Sequence, residues 1–377
     1  MSDGLVMTPE QQANSEPRRK GGPAPRRILL IAPAPPPYGG MAIQAGLLVK
    51  FLRADGHQVA FFATTTKCPR WLAICDRISG LRTIIRSALI YLRLWGRVRR
   101  AEVVHVLAAS WLYFFVVAVP AVLYARIHGK RVVLNYRGGD AKQFFRWYGW
   151  LIRPIFKLSS IVTAPSEFLA QVIGERFGVP VRVVPNVLDN TIFQYRERTD
   201  IRPKILSTRH LEQIYGVDVA LKAFRDLQSR FPEASLWIAG TGRQAESLRG
   251  LVAAWNLQNV SFLGHVEHRD LGAVYDQCDI LLNASFVDNF PGALLEASGA
   301  GLVVISTAAG GIPFMFRHEK NALLVEPGDS SGLAAAMERV LRSPSLQVSL
   351  TREAAALSRG WQWSEVSKAI YGAYGFR

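Results

Sequence analysis

Short apolar runs alternate with amphipathic stretches along almost the whole chain. Arg27-Ile-Leu-Leu-Ile-Ala predicts a strand buried on both faces, followed by a proline-rich turn and Tyr38-Gly39-Gly40. An apolar period of three to four from Met41 to Ala54 predicts a helix closed by Asp55-Gly56, and His57-Gln-Val-Ala-Phe-Phe predicts the next strand. Strand, glycine turn, helix, strand is the βαβ unit of a parallel sheet. Further strands are predicted at Val103–Leu107, Val132–Asn135, Ile161–Ala164 and Val181–Val184. The second half repeats the alternation, with strands at Lys204–Thr208, Leu236–Ala239, Val260–Leu263, Ile280–Asn283 and Val303–Ser306. Its helices are predicted at Val217–Ser229, Gln244–Trp255, Pro291–Gly299 and Leu333–Leu341. No period of 20–50 residues recurs, which excludes repeat architectures.

Two stretches qualify this pattern. From Val103 to Ala125 the chain is almost uncharged and long enough to suggest a membrane span. It divides at Ala108-Ala-Ser, however, and Pro120 interrupts the remainder, so a strand followed by a buried helix is predicted. Thr191–Arg202 is charged and aperiodic, which suits a linker. The resulting expectation is an α/β chain with two Rossmann-like, doubly wound domains at 27–195 and 203–358. A disordered basic tail at 1–26 precedes them and a carboxyl-terminal helix at 359–377 follows. With 377 residues and 49% apolar content, two such cores can be filled.

Charge separates the halves. Residues 1–200 carry 28 Lys and Arg against 12 Asp and Glu, while residues 201–377 carry 17 against 17, so the net +16 lies wholly in the first half. An excess of that kind suits an anionic partner. Cys68, Cys75 and Cys278 are too few for a disulfide scaffold, and the polar, proline-rich amino terminus predicts no secretory signal. A cytoplasmic location is expected.

Candidate chemistry is densest in Asp288-Asn-Phe-Pro-Gly-Ala-Leu-Leu-Glu296, just after a strand. Asn289 suits an N-cap and Pro291 a first helical turn. The free N–H groups of such a helix start suit a diphosphate, and the two carboxylates suit sugar or ribose hydroxyls. A solvated Asp beside a helix-start Glu favoured by the dipole has the same appearance.

The surrounding residues form an ordered series. It includes Gly39-Gly40, Gly56-His57-Gln-Val59, Val104-His105, Pro165-Ser166-Glu-Phe-Leu, Pro185-Asn186-Val-Leu-Asp189, Leu236-Trp-Ile-Ala-Gly-Thr-Gly242, Phe262-Leu-Gly264 and Asn283-Ala-Ser-Phe. Leu295-Glu-Ala-Ser-Gly through Gly310-Gly-Ile and Asn321-Ala-Leu-Leu-Val-Glu-Pro-Gly-Asp complete it. From about Ile28 to Tyr374 the chain resembles the retaining family 4 glycosyltransferases (glycosyl transferases group 1), which have the GT-B fold of two Rossmann-like domains facing across a cleft.

That resemblance implies a nucleotide-sugar donor held by the second domain and an acceptor held by the first. It implies that Glu296 grips the ribose, that Asp288 holds hydroxyls of the transferred sugar, and that Gly240, Gly242, Asn289, Phe290 and Pro291 line the donor. Main chain at His265–Val266 would face the base. Gly39, Gly40 and Arg209 would face the diphosphate, and Tyr38, Arg137 and Asp140 the acceptor. Catalysis would rest on Asp288, Arg209 and Arg137.

Three positions depart from the family pattern. Asp288 replaces the usual Glu, Tyr215-Gly216 replaces a Lys-Gly pair, and Arg137 replaces a His near the reacting sugar carbon. Tyrosine brings no charge, and arginine cannot act as a base but can clamp phosphate. Two other outcomes therefore accompany the transferase reading: a GT-B nucleotide-sugar epimerase, and a non-catalytic nucleotide-sugar-binding protein.

His265, Glu267 and His268 lack a third ligand at metal spacing, which assigns both histidines to the surface or core edge. No Asp-x-Asp, phosphate-loop or nucleophile-elbow motif is present, so neither a metal nor another cofactor is expected. Lys67–Arg100 holds nine basic residues and one acidic, Asp76. Arg82, Arg86, Arg93, Arg97 and Arg100 share one helical face, while Leu81, Ile84, Ile85, Ala88, Leu92 and Trp95 share another. The stretch reads either as a domain helix with a solvated arginine face or as a contact with an anionic membrane; the flanking Trp71 and Trp95 favour the membrane. That contact would place the enzyme peripherally on the inner membrane face, beside a lipid-linked or polysaccharide-precursor glycan, with no nucleic-acid partner.

Overall fold

The computed structural model describes residues 24–35, 39–65, 91–198 and 201–376. The chain divides into two compact units. One comprises the chain up to Pro165, Ala170–Val184 and the end from Lys368; the other comprises Ser166–Leu169 and Pro185–Ser367.

The first unit contains β1 (Arg27–Ala32), α1 (Gly40–Ala54), β2 (Gln58–Ala63), a helical segment α2 (91–100), β3 (Val103–Ala108) and α3 (Val119–Ile127). It continues with β4 (Arg131–Tyr136), α4 (Ala141–Leu158), β5 (Ile161–Ala164), α5 (Glu167–Phe177), whose first turn is counted with the second unit, and β6 (Val181–Val183). Six parallel strands lie in the order β2-β1-β3-β4-β5-β6. Interior strands are mostly apolar because helices cover both faces; β3 is buried at all six positions, His105 included.

The second unit runs β7 (Lys204–Thr208), α6 (Val217–Gln228), β8 (Ser235–Ala239), α7 (Ala245–Ala254), β9 (Val260–Gly264), α8 (His268–Gln277), β10 (Ile280–Asn283) and α9 (Gly292–Ala300). There follow β11 (Val303–Thr307), α10 (Ile312–Met315), β12 (Leu323–Val325), α11 (Ser330–Arg342), α12 (Pro344–Ser358) and the start of α13 (Trp363–Tyr374). Its parallel strands lie in the order β12-β11-β10-β7-β8-β9, the doubly wound order that reverses direction between β7 and β10. The last turns of α13 pack in the first unit, where Tyr374 hydroxyl lies 2.7 Å from Nδ1 of buried His105 and Tyr371 donates to Asp55.

Several expectations are corrected. Pro120 does not interrupt the apolar stretch: a π-helical turn, Phe114–Ala118, runs directly into α3, and Pro120 is the second residue of α3. Among the described residues no helix is long and apolar enough to cross a membrane. Residues 191–198, expected in a linker, belong to the second unit. Buried Arg198 donates through Nε to Asp279 Oδ1 (3.0 Å) and the Cys278 carbonyl (3.2 Å) and through Nη2 to the Tyr275 carbonyl (3.2 Å), while Arg202 Nε donates to Asp279 Oδ2 (2.9 Å). Long-range ion pairing, which has no sequence period, ties this segment down; the chain leaves the first unit at Val184 instead.

In the described part of the basic stretch, the buried side chains of α2 are Leu94 and Val98, not Leu92 and Trp95. Leu92 is exposed, and Trp95 stands edge-on to Tyr124 and His128. Arg97 is not purely a solvated charge, since it donates to the Phe61 carbonyl (2.9 Å) and covers the Phe62 ring. Residues 67–90, including Arg82 and Arg86, lie outside the described residues.

Candidate active site

In an open parallel sheet, the loops after two strands diverge where the strand order reverses, leaving a crevice at the carboxyl ends. Within the second unit, that place lies between β7 and β10. Arg209 is the first residue after β7, and Asp288 sits in the loop between β10 and α9. The two form an ion pair, each nearly buried. Arg209 Nη2 also donates to Ser285 Oγ at 3.0 Å, and its guanidinium lies 4.5 Å from the Tyr215 ring centroid. The Ser285 hydroxyl donates onward to Asn283 Oδ1 (2.8 Å), and Asn283 Nδ2 donates to Ser306 Oγ (2.9 Å). This chain of hydrogen bonds fixes the serine lone pair that meets the arginine. Burial lowers the Arg209 pKa, while Tyr215, Tyr275 and Glu296 work the other way.

Tyr215 reaches the guanidinium because of the glycine beside it. Gly216 has φ +60°, and a Cβ there would collide with the Ala284 carbonyl. The missing lysine is thus replaced by an aromatic face under the remaining cation.

Glu296 lies in the second turn of α9. Its Oε2 accepts from the Tyr275 hydroxyl at 2.7 Å, and His268 Nε2 stands 3.6 Å from its Oε1. The Tyr275 hydroxyl is also 2.8 Å from Thr208 Oγ1. Burial, and then the Glu296 carboxylate, hold the phenol pKa far above its usual value, so it remains a donor. Asn289 does not cap α9. Pro291 occupies the cap position and supplies no side-chain cap, while its carbonyl accepts from the Leu294 amide at 3.2 Å. The helix dipole makes this start partly positive.

Gly240 and Gly242 follow β8 and lie so close to the backbone of Arg209 and Leu211 that a side chain at either would collide with it. Val266 lies half-buried in the turn between β9 and α8. Phe290 turns its ring edge-on to Trp361, and its carbonyl accepts from Asn186 Nδ2 (3.0 Å), so its side chain packs in the unit. His265 is exposed and pairs with Glu267 at 3.3 Å. His268 lies at the core edge, as expected, with its ring edge-on to Phe193 and beside Glu296.

In the first unit, Gly39 occupies the cap position of α1, and its carbonyl accepts from the Ala42 and Ile43 amides. Among the described residues, apart from its chain neighbours and its own helix, nothing lies within 4 Å of a Cβ placed on Gly39 or Gly40. Arg137 follows β4, its pKa pushed down to about 10 by burial, and Asp140 starts α4, exposed. Tyr38 lies outside the described residues.

Sequence reading missed Tyr275, Thr208 and Ser285, which hold Glu296 and Arg209 in place. Tyr275 sits at an apolar position of α8, and nothing in its spacing reveals its hydroxyl partners. The assembled cluster offers a buried cation, two carboxylates with separate partners and an uncapped helix start. Such a set can neutralise a phosphate and accept from hydroxyls. Among the described residues, no three His, Cys, Asp or Glu side chains converge as a metal site would require.

Comparison with known proteins agrees with this geometry. The profile described as Glycosyltransferase Family 4 matches residues 38–191, and that described as Glycosyl transferases group 1 matches residues 190–356. The chain belongs to the group 1, family 4 glycosyltransferases. Glycogen synthase of Mycobacterium tuberculosis is 26% identical over 294 residues, covering 73% of this chain and 69% of that protein. The 2-deoxystreptamine N-acetyl-D-glucosaminyltransferase of Niallia circulans is 32% identical over 136 residues, covering 36% of this glycosyltransferase and 35% of its own length. The fold is GT-B. The crystal structure of Anabaena HepE in complex with UDP and glucose superposes with a TM-score of 0.71 at 15% identity, over 93% of this chain and 99% of that one. Sucrose-phosphate synthase from Thermosynechococcus elongatus gives 0.71 at 18% identity, over 93% and 98%.

Proposed function

We propose that this glycosyltransferase moves a sugar from a nucleotide-sugar donor to an acceptor hydroxyl with retention at the anomeric carbon. The observation that carries the reading is the convergence of Arg209, Asp288 and the Tyr275-held Glu296 beside the uncapped start of α9. Glu296 accepts from the ribose hydroxyls, its position set by the Tyr275 phenol. The diphosphate takes up Arg209 and the α9 amides, and Asp288, released from Arg209, turns to hydroxyls of the sugar. Gly240, Gly242 and the Val266 main chain border the nucleotide, and Gly39-Gly40 offers a backbone surface without side chains.

As the bond from the anomeric carbon to the diphosphate oxygen breaks, that oxygen keeps the electron pair. Arg209 and the helix start stabilise the charge without a metal ion. Retention requires the acceptor oxygen to bond from the same side, where the departing oxygen is at hand for its proton. Arg137 and Asp140 serve the acceptor side. The acceptor is a lipid-linked or polysaccharide-precursor glycan met at the inner membrane face, a reading supported by the basic excess of the first half.

Glu296→Ala tests the assignment, because the side chain is held by hydrogen bonds rather than core packing. It should lower kcat/KM for a nucleotide sugar by about a thousandfold while the circular dichroism spectrum and melting temperature stay near wild type. Wild-type turnover in that variant would overturn the donor site.

A further inference from the structure

We propose that the outward face of α4 is a docking surface for an anionic phospholipid bilayer. α4 has three faces. Phe144, Phe145, Ile152, Ile155 and Phe156 are buried against the sheet. A second stripe, at spacings of three and four, leaves Trp147 58% and Trp150 77% exposed with Leu151 beside them. Along one flank of that stripe run exposed Arg146, Arg153 and Lys157.

The turn after β3 extends the apolar patch. Trp111 has φ +61°, an unfavourable conformation for a bulky residue, and its ring stands edge-on to Trp147 (6.1 Å) and Tyr148. The next residue, Leu112, is 63% exposed. The strain is held in place by the aromatic packing and leaves an aliphatic side chain in water.

Charge identifies the occupant. Between residues 91 and 158 the chain has twelve Lys and Arg against only Glu102 and Asp140. Tryptophans with an apolar body and a polar N–H, flanked by long basic side chains, match the boundary between headgroups and acyl chains. A second copy of the chain fits worse, because a two-fold contact through this stripe would bring the basic flanks together. In sequence the stripe is distinct from Lys67–Arg100. It deepens the lipid-linked acceptor reading, on which its purpose rests, by giving an apolar foothold that salt does not screen.

The test uses the full chain with phosphatidylcholine vesicles, neutral or containing about a quarter phosphatidylglycerol. Wild type should co-sediment with the anionic vesicles, its tryptophan emission moving to shorter wavelength. The exposed double variant W147Q/W150Q should bind about tenfold more weakly with an unchanged melting temperature, and R146E/R153E/K157E should lose binding most at low salt. Equal binding by W147Q/W150Q and wild type, with release only by R82E/R86E/R93E/R97E, would assign contact to the other stretch and overturn the proposal. So would wild type remaining in solution, or a dimer that W147Q/W150Q abolishes. Donor hydrolysis measured without lipid separates the two readings: hydrolysis without vesicle binding removes the surface and leaves the transferase standing.

Discussion

The two units build the same kind of six-stranded parallel sheet yet use polar residues in opposite ways. In the second unit, 17 Lys and Arg stand against 21 Asp and Glu, and critical groups point inward to matched partners: Asp279 to Arg198, Asp288 to Arg209, Glu296 to Tyr275. In the first, basic side chains dominate the surface, and Trp147, Trp150, Leu112 and Ile127 stand exposed among them. Apolar runs are enough to make either sheet. What distinguishes the units is whether polar groups are spent inward on geometry or displayed outward to a partner.

The inward pairing of the second unit is tested most severely by Asp279→Asn. Arg198 would remain buried without its counter-charge, and stability should fall by about 3–5 kcal/mol in chemical denaturation. A loss within experimental error would show that the pairing is incidental and dissolve the contrast.

The first unit also buries polar groups, and among them His105 has its pKa pushed down to about 3 by burial and secondarily by Arg137. The unfolded chain takes up a proton near the ordinary value of about 6.5 and the native state does not. Stability is therefore complete above that pH and lost as pH falls toward 3. Between about pH 7.5 and pH 5 the loss should be about 2 kcal/mol. His105→Asn should flatten that slope; an unchanged slope would place the titration elsewhere.

Tyr215 sharpens the reading of the second unit's site. Tyr215→Phe keeps the ring beneath Arg209 and should retain kcat/KM within about twofold, whereas Tyr215→Leu should lose about fivefold, as expected for one cation–π contact. Equal losses would point to the hydroxyl instead. The smallest expected effect is none: turnover should survive EDTA, because Arg209 and the α9 start carry the leaving charge. Full loss restored by Mn²⁺ or Mg²⁺ would overturn that account.

Much of this was legible in the sequence. Strands β5, β7 and β10 have the bounds expected from their sequence, since a strand buried in a parallel sheet shows as a short, largely apolar run. α4 was not legible, because Gly149 and Pro154 read as breakers amid aromatic residues that tertiary packing nevertheless holds in a helix. β12, only three residues long, is set by its pairing with β11. Arg209, Asp288 and Glu296 were visible as candidates through the resemblance, but their partners Ser285, Thr208 and Tyr275 were not.

The sequence alone determined two α/β units, the succession of strands along the chain and the location of the excess charge. These depend on local periodicity and composition, which each segment carries by itself. Only the tertiary structure decided that residues 191–198 brace α8, that Arg209 rests between Asp288 and Tyr215, and that Trp147 and Trp150 face water while neighbouring aromatics fill the core. Hydrogen bonds, ion pairs and burial join residues distant in sequence, and their distances exist only once the sheets have brought the segments together.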